Sequence, residues 1–222
     1  MGFAQAPTEL TTAATDFLLA IECVALAVWF APQPYADQFR AVLWYWVFGL
    51  TAAASLIGAL AHGFAFSAPT IERLWMPLYL SLGIIVALFF VGAIHDWLGQ
   101  AIANRLVPWA VAIGTAFYAA TEVLDGAFII FVLYEGVAML AALAIYLLLV
   151  RNRTLPGASL IAAAIALNLV AAIVQASDLT LTLVVPFDHN GLFHIIQMIA
   201  VAVLGCGLRR GFIGKASVQG IY

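Results

Sequence analysis

Seven apolar stretches, each long enough to cross a lipid bilayer as a helix, leave this chain very few folds. A hydrocarbon core about 30 Å thick needs about 20 helical residues. The sequence meets that length at 12–30, 38–64, 74–98, 106–123, 127–150, 156–181 and 190–208. Breaks between them carry ordinary stop signals: Pro32 and Pro34, Ser67-Ala68-Pro69, Asn104, Asp125-Gly126, Arg151-Asn152-Arg153, and Pro186. Composition agrees. Of 222 residues, 66% are hydrophobic and 9% charged, where a soluble domain carries roughly a quarter charged. The expectation is an all-α polytopic bundle of seven transmembrane helices forming one domain over 1–222, with helices four and five as antiparallel neighbours across a short break.

Basic residues set the expected orientation. Arg40, Arg105, Arg151, Arg153, Arg209, Arg210 and Lys215 fall on one side of the bundle, and Arg73 alone on the other. The positive-inside rule then puts the N-terminus outside and the C-terminus in the cytoplasm, as a multi-pass protein of the plasma (inner) membrane. Residues 1–15 lack a basic n-region and an apolar h-region, so no cleaved signal peptide is expected. A net charge of −3 gives no reason to expect nucleic-acid binding. Cys23 and Cys206 lie inside spans and read as apolar thiols rather than a disulfide.

Polar residues crowd the outer ends of the spans. Asp16 and Glu22 fall in helix one, His62 closes helix two, Glu72 opens helix three, and Glu122 with Asp125 closes helix four. Glu135 lies two turns into helix five, and Asp178 near the end of helix six. Asp188, His189, Asn190, His194 and Gln197 open helix seven. Lipid-facing positions do not tolerate such groups, so they are expected to line a water-accessible cavity. Helical spacing supports shared faces: Ser55 with His62, Asn168 with Gln175 and Asp178, Asn190 with His194 and Gln197. Asn190-Gly191 reads as a helix cap, which places His189 in the preceding loop. His95-Asp96 lies at the opposite surface and reads as structural or interfacial. Tryptophans near span ends read as an interfacial aromatic belt.

This layout resembles the CREST superfamily of membrane hydrolases, which includes alkaline ceramidases, adiponectin/progestin-type receptors and bacterial haemolysin III proteins. The resemblance implies zinc held by three histidines, activating water against a lipid amide or ester. His62 would be the helix-two ligand and His194 the second histidine of the helix-seven pair. Glu72 would stand for the helix-three acid and Ser55 for the helix-two serine. The chain departs from that pattern at Gly58, where the serine belongs, and at Asn190, where the first helix-seven histidine belongs; His189 is displaced by one. The third metal ligand then falls to His189, Glu72 or Asp188, and the general base to Glu72, Asp188 or Glu22. The stretch HNxLxHxIQ also resembles an uncharacterised family of bacterial seven-helix proteins.

Three functions stay open on the sequence. One is a zinc-dependent intramembrane hydrolase acting on a membrane lipid. Another is a binding or sensing protein whose cavity, lined by Asp16, Glu22, Glu122, Glu135, Gln175, Asp178, Asn190 and Gln197, takes a small cationic or polyhydroxylated ligand or a metal ion. A small transporter is the third, although no span is broken by Gly-Pro pairs and no internal repeat is evident. A retinal opsin is disfavoured, since the only lysine, Lys215, follows the last span.

Overall fold

Hydrocarbon offers no hydrogen-bond partners, so each apolar stretch closes its backbone bonds within itself, as a helix. The computed structural model describes residues 2–31, 37–124 and 127–219, with side chains at 127–128 and 214–219 outside the description. Pro32, Pro34, Asp125, Gly126 and the Lys215 side chain therefore lie outside the described residues. Seven helices follow in order: α1 (Pro7–Trp29), α2 (Gln38–Gly63), α3 (Ala68–Leu98), α4 (Gln100–Val123), α5 (Ala127–Asn152), α6 (Ala158–Gln175) and α7 (His189–Gln219). All seven contain a span long and apolar enough to cross a membrane. Between α6 and α7 a small hairpin pairs β1 (Leu181–Thr182) antiparallel with β2 (Pro186–Phe187).

Several boundaries move from the sequence expectation, each for a local reason. α3 begins at Ala68 rather than residue 74, because Pro69 sits in the first turn, where a missing N–H is no loss. α4 begins at Gln100 rather than residue 106, since the chain turns through Gly99 alone. Its φ of 87° is a conformation that glycine adopts without steric penalty. α6 ends at Gln175, so Asp178 lies in the loop beyond it. His189 is the first residue of α7 and does not sit in the preceding loop.

Helices α1, α2, α3, α5, α6 and α7 touch in a closed ring, α7 returning to α1. α4 stands outside the ring and is the least buried of the seven. It packs mainly on α3, with only a slight contact to α5. Gly83 and Gly114 cause this preference: a β-carbon on Gly83 would lie 2.5 Å from the Gly114 carbonyl oxygen. Two helix backbones thus approach as closely as small residues permit. Hereafter the N-terminal end of the bundle means the end where α1 begins and α2 finishes.

At the opposite end the ring is tied by a fully buried ion pair. Arg40, in the first turn of α2, has no exposed surface. Its Nε lies 2.8 Å from Asp96 Oδ1, and its Nη2 donates to Asp96 Oδ2 at 2.8 Å. The Tyr146 hydroxyl from α5 donates to the same Oδ2 at 3.0 Å. On the α7 side Arg40 Nη1 donates to the Leu208 carbonyl at 3.4 Å, and the guanidinium sits 4.8 Å from the Phe212 ring centroid. Gly211 leaves room for it, since a β-carbon there would lie 2.6 Å from Nη1. Arg40, one of the charges that set the expected orientation, is thus a core residue joining four helices.

Removing one member of a buried pair strands the other, at a cost of about 3–5 kcal/mol. Asp96→Ala should therefore lower the unfolding midpoint in detergent by an amount equivalent to about 3 kcal/mol or more. A midpoint equal to wild type would show that the pair contributes nothing to the ring.

Candidate functional site

The ring encloses a cavity of about 390 Å³ that opens towards the N-terminal end. Its lining joins residues from α1, α2, α3, α5, α6 and α7. Of the residues singled out in the sequence, Asp16, Ser55, His62, Glu135, Gln175, His189, Asn190, His194 and Gln197 all face it. The polar stripes of α2, α6 and α7 do converge. α1 adds Asp16 and α5 adds Glu135.

The α1 and α7 contributions meet directly. His194, 8% exposed, has Nε2 3.3 Å from Asp16 Oδ1 and Nδ1 3.1 Å from Thr15 Oγ1. Thr15 Oγ1 also lies 2.9 Å from the Thr12 carbonyl oxygen, a bond in which only the hydroxyl can donate. With the Thr15 hydroxyl donating to that carbonyl, Nδ1–H donates to Thr15, and Nε2 faces the Asp16 carboxyl group. Asp16 and His194 thus form a close carboxyl–imidazole pair on the cavity wall. Gly58 makes the space: a β-carbon there would lie 2.6 Å from Asp16 Oδ2. The glycine that stands where the resembling hydrolases carry serine is therefore the seat of a carboxylate from α1.

His62 is held separately. Its Nδ1 lies 2.7 Å from Glu9 Oε2, and its ring meets Trp75 edge-on at 5.7 Å. Glu9 did not figure among the expected residues, though its signal was present: it precedes Asp16 by seven, hence shares its stripe on α1. The aromatic wall formed by Trp75, Tyr79, Phe131 and Phe193 also went unassigned, because aromatics near span ends read equally as an interfacial belt.

Glu135 lies deepest. It is 6% exposed, its Oε1 accepts from Asn168 Nδ2 at 2.8 Å, and its Oε2 has no hydrogen-bond partner. Gln175 Nε2 reaches Asn190 Oδ1 at 3.5 Å, leaving Gln175 Oε1 unpaired. A second chamber of about 90 Å³ continues below, sharing Thr51, Ile85, Val86, Glu135 and Gln197 with the first and otherwise mostly apolar. No lysine or arginine lines either cavity among the described residues.

Other expected site residues are placed elsewhere. Asp188, expected as a base or ligand, caps α7: its Oδ1 accepts from Gly191 N at 2.9 Å and from Thr12 Oγ1 at 2.9 Å. Glu72, Glu122 and Asp178 are exposed, and Glu22 is half-buried away from the cavity lining. Their positions near span ends were legible, but their rotation about the helix axis was not. His62, His189 and His194 line one cavity. Even so, among the described residues no three His, Cys, Asp or Glu side chains gather closely enough to hold one metal ion.

No curated protein and no solved structure matches the chain. The family comparison matches residues 11–212, nearly the whole bundle and every cavity residue described above. The chain belongs to DUF6962, a family of unknown function.

Proposed function

We propose that the protein is a ligand-binding membrane protein whose cavity takes a small molecule with an apolar body and a cationic or hydroxyl-rich head. One observation carries this reading: Glu135, which lines the cavity in a membrane interior, keeps a buried Oε2 with no hydrogen-bond partner. An unsatisfied buried acceptor costs about 1–3 kcal/mol, more when charged, and a donor on a bound molecule or water recovers it. The surroundings agree. Two carboxyl groups, those of Asp16 and Glu135, share the lining with Trp75, Tyr79, Phe131 and Phe193, and among the described residues no lysine or arginine competes. Aromatic faces with carboxylates suit an organic ammonium, which gains cation–π attraction in addition to the charge pair.

The test is a thermal-shift series on purified protein with choline, tetramethylammonium, n-octylammonium and mannitol. A ligand at 100 times its Kd stabilises by about 2.7 kcal/mol, readily seen as a raised midpoint. Glu135→Gln should keep the fold and weaken ammonium binding by at least about tenfold, equivalent to ~1.4 kcal/mol. No shift with any ammonium ion or with mannitol would contradict the reading. Gly58→Leu, which fills the space beside Asp16, should abolish binding as well; undiminished binding would remove Asp16 from the site.

A zinc-dependent hydrolase of a lipid amide or ester is the second reading, favoured by one observation. Glu9 holds His62 by Nδ1, as carboxylates orient metal-binding imidazoles, while Asp16 and His194 lie 3.3 Å apart in the same cavity. Imidazole and carboxylate are suitable zinc donors, and zinc supplies an activated water and a polarised carbonyl. The described side chains are not gathered about one point, however. Elemental analysis separates the two readings. One zinc per chain, lost in both His62→Ala and His194→Ala, supports hydrolysis; no zinc in wild type after zinc is supplied contradicts it.

A further inference from the structure

One stripe of α2 runs the length of the bundle: His62, Gly58, Ser55, Thr51, Phe48, Trp44 and Arg40, at steps of three and four. Its first four members line the large cavity. Thr51 and Phe48 line the small chamber, and Arg40 enters the buried ion pair at the far end. Polar structure therefore approaches the bundle axis from both ends. We propose that this stripe marks a gated proton pathway across the bundle, with Glu135 as the central proton carrier and His95 as the relay at the far end.

Glu135 sits where the two chambers meet, with Oε1 held by Asn168 and Oε2 unpartnered. Most buried side-chain oxygens are hydrogen-bonded, so an open carboxyl oxygen inside the membrane asks for an explanation. An intramembrane carboxylate between two cavities has the placement of a proton relay. The small chamber, at about 90 Å³, has room for about three waters at ~30 Å³ each. For transfer the Glu135 side chain turns Oε2, buried in this structure, towards each chamber in turn; it takes a proton from water in the large cavity and gives it to water in the small one, and no bond other than O–H changes.

Thr51 to Arg40 is eleven residues, about 16 Å of helix. Between the small chamber and Arg40 stands Trp44, fully buried, its edge 3.0 Å from where a β-carbon on Gly92 would be. Gly92 is one turn from Asp96. Phe89 meets Trp44 at right angles, 5.2 Å between centroids. The indole Nε1 is buried without a hydrogen-bond partner, and it becomes a donor to water only when the ring swings aside. Trp44 is the gate. Beyond it, His95 bridges two carboxylates: Nδ1 lies 3.3 Å from Asp96 Oδ1 and Nε2 3.3 Å from Asp37 Oδ1. Arg40 and the Tyr146 hydroxyl face Asp96 from α2 and α5. An imidazole so placed accepts a proton at one nitrogen and releases one from the other.

The test uses full-length protein in liposomes containing a pH-sensitive dye, with a potassium diffusion potential as driving force. Wild type should acidify the lumen at least fivefold faster than protein-free liposomes. Glu135→Gln and His95→Gln should each reduce the protein-dependent rate at least tenfold. Trp44→Leu should raise it several-fold, and Glu122→Gln, exposed and away from both chambers, should leave it unchanged. Elution profile and unfolding midpoint identify any variant that fails to fold, and either remaining carboxyl or imidazole variant still decides. Wild-type flux no greater than that of empty liposomes, or undiminished flux in a folded Glu135→Gln or His95→Gln, overturns the proposal. Ammonium binding does not enter this assay, so the pathway and the binding reading fail independently.

Discussion

The bundle depends on one constraint: a polar group inside hydrocarbon must find its partner within the protein. The Arg40–Asp96 pair shows that constraint largely met, with two contacts to one carboxylate, a tyrosine hydroxyl on it and a backbone carbonyl on the guanidinium. It holds α2, α3, α5 and α7 at one end. Among the described residues no fully buried ion pair closes the other end, where the ring leaves a cavity between the same helices. One end is pinned and the other is hollow, and the chemistry lies in the hollow.

Within that cavity the polar groups fall into two kinds. Some hold the frame. Asp188 caps α7 and receives Thr12 from α1, while the Thr11 hydroxyl donates to the Pro186 carbonyl at 2.7 Å, which ties the hairpin to α1. Others line the cavity and are held from one side only, His62 by Glu9 and Glu135 by Asn168, while His194 is held at both ring nitrogens, by Thr15 and Asp16. Side chains fixed behind and open in front are preorganised for something that arrives. Their excess of acceptors over donors gives that visitor its chemistry.

Much of this was legible in the residues, and the limits have a physical form. Length alone identifies the spans, because 1.5 Å per residue against a fixed hydrocarbon thickness admits one solution. Spacing of three, four and seven identified the converging stripes of α2, α6 and α7. It failed where a residue's partner lies far along the chain. Arg40 read as a loop charge because Asp96, 56 residues on, is what buries it. Asp188 read as a base because its capping bond depends on α7 beginning one residue earlier than expected, at His189. Glu72, Glu122 and Asp178 sit at the right depth but outside the lining, and depth follows from sequence more directly than rotation. Gly58 is the reverse case: a departure from the resembling pattern that becomes intelligible once Asp16 is seen filling the space.

The central claim is that a water-accessible, acceptor-rich cavity lies inside the ring, and charge-selective thiol labelling tests it most directly. With Cys23 and Cys206 replaced by alanine, Ser55→Cys places a single thiol on the cavity wall. The account predicts that a small cationic methanethiosulfonate modifies it at least tenfold faster than an anionic one of equal size, after each rate is divided by that at an exposed Glu122→Cys. Equal normalised rates for the two reagents, or no labelling of Ser55→Cys while Glu122→Cys reacts, would contradict it.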